Sequence, residues 1–109
     1  MTRKQFYDKL LAIGLPVAYL AFPINEAPAL PYIVYRFPES DDLVADNTNY
    51  RPIDNVTVEL YTENKDFTLS DNVGEALNEM GLVYNRSEEY LEDERMYMTL
   101  FESEVIFNG

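Results

Sequence analysis

The sequence predicts an α+β fold: a largely antiparallel or mixed sheet of four to five strands with two helices packed on one face. Three observations carry this. Phe6, Leu10 and Ile13 recur at helical spacing, and so do Leu69, Val73, Leu77 and Met80. Val56, Val58 and Leu60 alternate with Thr57, Glu59 and Tyr61, the period of a half-buried strand. The element order reads α-β-β-β-α-β-β with short links, which favours antiparallel neighbours. A chain of 109 residues is expected to form one domain, 1–109, with a single core.

The elements follow from local signals. Thr2 and Gln5 are spaced as a capping box, and Gly14 and Pro16 stop the helix they open, predicted over 3–13. Val17 to Phe22 is a short β-prone run ended by Pro23. Pro23, Pro28 and Pro31 make 23–31 a loop, because proline removes the backbone donor that a helix or central strand needs. The run Tyr32-Ile33-Val34-Tyr35-Arg36-Phe37 is β-branched and aromatic, hence a strand over 31–37. Residues 38–52 are polar and acidic and read as a long loop. A strand over 55–62 follows. Asp66 then caps a second helix, which Gly81 closes. Gly74 inside that helix weakens it by about 1 kcal/mol relative to alanine. The tail reads as a hairpin: 83–91 pairs with 96–107 across Glu92-Asp93-Glu94-Arg95.

Composition excludes most catalytic chemistries. The chain has 20 acidic and 8 basic side chains, a net charge of −12, and no histidine, cysteine or tryptophan. No side chain has an ordinary pKa near neutrality, so the usual proton shuttle is missing. Thiol nucleophiles, disulfides and Cys/His zinc sites are excluded. The serines have no histidine to activate them, and no glycine-rich phosphate loop occurs. The acidic loop with Glu39, Asp41, Asp42, Asp46 and Asn47 lacks the ligand order of a calcium loop. The chain is therefore expected not to be an enzyme and to hold no metal or cofactor. An excess of carboxylates argues against binding nucleic acid, which requires clustered Lys and Arg. No apolar run reaches the length of a membrane span or of a signal peptide's core, so the chain is expected to stay in a cytosol and engage no membrane.

The nine tyrosines point to contact surfaces. Tyr32, Tyr35, Tyr61, Tyr84, Tyr90 and Tyr97 all fall on predicted strands and leave both faces of several strands semi-apolar. One face is explained by the helices; the other suggests a second subunit. Tyr32, Tyr35, Tyr61, Tyr97 and Phe101 are the candidate interface residues.

The N-terminal amphipathic helix, the strand Pro31-Tyr32-Ile33-Val34-Tyr35 and the acidic Ala45-Asp46-Asn47 loop form the first half of a pattern. Its second half is the segment Ile53 to Thr62, the helix Val73 to Glu79 and the final strand Met96 to Phe101. Taken over nearly the whole chain, this resembles the small tail-completion, or tail-terminator, proteins of long-tailed bacteriophages and prophages. The resemblance implies a non-enzymatic virion protein at the head–tail junction, made in the host cytoplasm. It would form a homo-oligomeric ring, expected to be a hexamer, that caps the tail tube. Its partners would be the tail-tube protein and a head-connector or stopper protein, and DNA would pass without being bound. Other neck subunits, such as head-closure or connector proteins, are similar in size and remain an alternative, as does an acidic DNA mimic that blocks a host enzyme.

On that reading the acids have a role, because carboxylates lining a pore repel phosphate over about 8–10 Å at physiological salt. Glu39, Asp41, Asp42, Asp46, Glu88, Glu89, Glu92, Asp93 and Glu94 are the candidate pore or rim residues. Ring closure requires head-to-tail contacts. The second apolar sheet face and the β-edges of 31–37 or 96–107 are the expected places for them.

Overall fold

The computed structural model describes residues 1–40, 43–45, 48–51 and 53–108. Helix α1 spans Arg3–Leu11 and opens on the expected capping box. The Gln5 N–H donates to the Thr2 hydroxyl (3.1 Å), and the Thr2 N–H donates to the Gln5 side-chain oxygen (2.8 Å). Strand β1 is Val17–Tyr19, β2 Tyr32–Arg36 and β5 Asp54–Thr62. Helix α2 is Phe67–Glu79, with Asp66 as its N-cap accepting from the Leu69 N–H at 2.9 Å. Strands β6 (Tyr84–Leu91) and β7 (Met96–Val105) form the tail hairpin.

The fold is α+β, with a five-stranded sheet in the order β1-β2-β5-β7-β6. The sheet is mixed: β1 and β2 run parallel, and every other neighbouring pair is antiparallel. Antiparallel pairing was the sequence-based expectation for β1 as well. The connection 20–31 explains the difference, since a parallel return requires a crossover of about a dozen residues and this stretch is that long. The Leu20 N–H donates to the Tyr35 carbonyl (2.8 Å), which ties the start of the connection to β2.

Within 38–52, expected to be a loop, β3 (Leu43–Ala45) pairs with β4 (Thr48–Arg51) as a separate two-stranded sheet. Leu43-Val44-Ala45 and Thr48-Asn49-Tyr50-Arg51 show no apolar–polar alternation that would mark them as strands.

Both helices pack on one face of the large sheet. Phe6 and Leu10 of α1 and Val73 and Leu77 of α2 are fully buried against Ile33, Val58, Leu60 and Phe101. Register decides the face of every strand residue. Leu60 lies opposite Ile33 and Thr99, and Val58 opposite Tyr35 and Phe101, so all six point at the helices. Phe6 anchors an aromatic cluster, with ring centroids 5.6 Å from Tyr35, 6.0 Å from Phe37 and 5.9 Å from Phe107.

Two expectations about edges are overturned by the strand order. The 31–37 and 96–107 strands are both interior, each paired on two sides. The edges are β1 and the eight-residue β6. Sequence periodicity names a strand but not its neighbours, and only the pairing of distant segments sets the edge.

Candidate self-association surface

The face of the sheet turned away from the helices is built from the alternate positions. Val34, Glu59, Leu100 and Ser87 form one row across β2, β5, β7 and β6. Tyr32, Tyr61, Met98 and Glu89 form the next row, and Arg36, Thr57, Glu102 and Asn85 lie on the other side. Among the described residues, no helix covers this face.

Its apolar half is organised by aromatic contacts. The Tyr32 and Tyr61 rings lie 5.3 Å apart, and Phe22, carried in by the β1–β2 connection, meets Tyr32 edge-on at 5.1 Å. Such pairs rigidify a surface beyond their apolar area alone. Between them opens a groove of about 320 Å³, lined by Leu20, Phe22, Tyr32, Val34, Tyr61, Leu91 and Met96, with Glu94 at its rim. The Tyr61 hydroxyl donates to a Glu59 carboxylate oxygen at 3.0 Å. Burial, reinforced by the Glu59 charge and that hydrogen bond, holds the Tyr61 phenol well above its ordinary pKa. The ring is therefore a neutral donor that keeps Glu59 in place.

The expected interface residues separate into three positions. Tyr32 and Tyr61 lie half-buried on the open face. Tyr97 lies on the helix side near the hairpin tip, its ring 4.8 Å from that of Tyr90. Tyr35 and Phe101 are corrected by the fold: both are buried in the chain's own core, at 8% and 1% exposure, and present no surface to a partner. Residues 32–35 and 96–101 are each apolar in both phases, so periodicity did not decide which phase faced inward.

The expected acidic residues do not converge on one place. Glu39 is exposed at the Asp54 end of β5, where its carbonyl accepts from the Asn55 N–H (2.9 Å). Glu92, Asp93 and Glu94 form the exposed turn of the β6–β7 hairpin, beyond the Thr62–Tyr97 pair at the opposite end of the β5 ladder. At about 3.4 Å per residue the two groups lie some eight strand positions, or roughly 27 Å, apart. Glu88 is no free acid: Lys65, just before the N-cap of α2, pairs with it on the helix side. Glu89 is exposed on the open face beside Met98. Asp41, Asp42 and Asp46 lie outside the described residues.

The fold also places acids that were not singled out from sequence. Glu102 and Glu104 are exposed on the open face, with Glu59 further along it. Their alternation with Ser103 and Val105 was the available signal. The open face thus has an aromatic half and an acidic half. A surface with tyrosine and methionine at its centre and charge at its margin has the composition of a protein contact. Among the described residues, no three acids gather as a metal site. No family model matches this chain, and no curated protein matches it.

Proposed function

We propose that this protein is a structural ring subunit of a phage-type tail, a tail-terminator or tail-completion protein. It closes into a homo-oligomer, expected to be a hexamer, between the tail tube and the head connector. The observation that supports this reading best is the open sheet face. A helix-covered face already supplies the core, and the second face still carries Phe22, Tyr32, Tyr61, Leu91 and Met96 around a groove. An apolar concavity with an acidic margin is a surface that association buries.

The charge distribution supports the passage role. The hairpin tip carries Glu92, Asp93 and Glu94 with only Arg95 beside them, and a tip of this sign turned toward the ring axis keeps phosphate at a distance. Glu88, paired with Lys65, contributes little to that field.

The test is the mass of the purified protein by light scattering, with negative-stain images, alone and with isolated tail tubes. A closed ring in either condition supports the reading. A chain that stays below ring size and never associates with tubes overturns it.

A further inference from the structure

Strand β6 is long, lies at the sheet edge and, among the described residues, has no strand on its outer side. Edge strands of this length present rows of unpaired backbone groups, and proteins commonly protect them with charge. The charges here do more than repel. We propose that two copies of the free chain pair β6 with β6 about a twofold axis, antiparallel, with Ser87 opposite Ser87.

The register follows from three conditions. A twofold axis perpendicular to the sheet keeps both helix layers on the same side, so opposed residues must share a face and their numbers must have equal parity. With Ser87 at the centre, Arg86 of one copy faces Glu88 of the second copy, and Tyr84 faces Tyr90. All four lie on the helix side, as their positions opposite β7 require. On the open side Asn85 faces Glu89. Shifting the centre to Glu88 sets that carboxylate against its own counterpart, and shifting it to Arg86 does the same with guanidinium. Directly opposed like charges destabilise a ladder, and opposite charges support it. Lys65 and Asp71 temper these charges within each chain, and the contrast that is left favours the Ser87 register over its two neighbours.

The third condition is apolar. Val83, just before β6, is 88% exposed. In this register it lies opposite Leu91 of the second copy, at both ends of the paired segment. Arg86 also stays bonded to Asp71 (2.9 Å) and Ser70 (3.2 Å) within its own chain, which holds its guanidinium at the edge.

This inference does not rest on the ring reading. It concerns the β6 edge of the free chain, whereas the ring contact is proposed on the open face. The test uses the absence of native cysteine. In the proposed register the two Ser87 Cα atoms lie about 4.5–5.5 Å apart, within the range a disulfide spans. The two Asn85 Cα atoms lie about 13 Å apart along the strands. On mild oxidation Ser87→Cys is expected to give a covalent dimer on a non-reducing gel, and Asn85→Cys is not. Without cysteine, Arg86→Glu and Glu88→Arg are each expected to weaken dimerisation roughly tenfold. Circular dichroism checks that each variant is folded. Equal cross-linking at 85 and 87, or no cross-linking at 87, overturns the proposal.

Discussion

The Tyr84 ring occupies the space where residue 74 would carry a side chain. A Cβ on Gly74 would overlap the Tyr84 hydroxyl and come within 2.8 Å of its Cζ. Helix α2 approaches β6 this closely only because Gly74 has no side chain. The Tyr84 ring in turn rests edge-on against the buried Phe101, with centroids 5.2 Å apart, so it is backed by the core.

Gly74→Ala should therefore destabilise the protein although alanine is the better helix former. Helix propensity favours the substitution by about 1 kcal/mol. Forcing an atom into a packed contact costs about 1–3 kcal/mol, and the clash wins. In a Tyr84→Ala background the obstacle is gone and the same substitution should become stabilising. A double-mutant cycle read by urea denaturation checks the reversal of sign.

What the sequence revealed and what it hid divide along the range of the signals involved. Thr2, Gln5, Asp66 and the alternation through Val56, Val58 and Leu60 act within a few residues, and each element they announce is present. The parallel pairing of β1, the placing of β6 at the edge and the Lys65–Glu88 pair depend on segments distant in the sequence, and no periodicity carries that information. Gly74 is instructive because it read only as a weak point in a helix, and its reason lies in a tyrosine ten residues away on another element. The candidate surface was legible in the same measure. Tyr61 lies on a strand whose inward phase is clear, so its outward placement followed. Tyr32, Tyr35 and Phe101 lie on strands apolar in both phases, and of these three expected contact residues only Tyr32 is on the open face.

Alkali should unfold the protein through its buried phenols. Burial, followed by Tyr7 and Tyr19, raises the Tyr35 pKa above its ordinary value of 10.0, and burial followed by Glu59 raises that of Tyr61. The folded chain keeps these protons when the unfolded chain releases them. Their contribution is therefore complete below pH 10.0 and is lost as pH rises from there through the folded-state values. Absorbance at 295 nm should show most tyrosines ionising together and a late group appearing only with loss of ellipticity. Tyr61→Phe should shrink the late group and make the fall in stability above pH 10.0 less steep.

The hairpin tip is expected to set how the assembled ring treats DNA. Glu92, Asp93 and Glu94 are exposed, and their replacement by lysine touches no described core contact. The double variant Glu92→Lys/Asp93→Lys, which leaves Glu94 in place at the groove, should fold and assemble as before but retain double-stranded DNA in a gel-shift measurement, with binding that weakens as salt rises. Lysine at Glu39, at the other end of the sheet, should have a smaller effect. Equal effects at both places would remove the tip from the DNA path.

Core and contact surface are expected to separate when Phe101 and Tyr32 are compared. Phe101 is 1% exposed and holds Tyr84 against α2, so Phe101→Ala should cost about 3–5 kcal/mol and be seen first as a lowered denaturation midpoint. Tyr32 lies half-buried on the open face between Phe22 and Tyr61, so it loses less on truncation within the monomer. Tyr32→Ser should cost about 1–2 kcal/mol in stability, yet abolish the ring seen by light scattering, because a wall of the groove is gone. The conservative Tyr32→Phe keeps the ring's apolar area and should keep the assembly. If Tyr32→Ser assembles as the parent does, the aromatic half of the open face is not the contact that closes the ring.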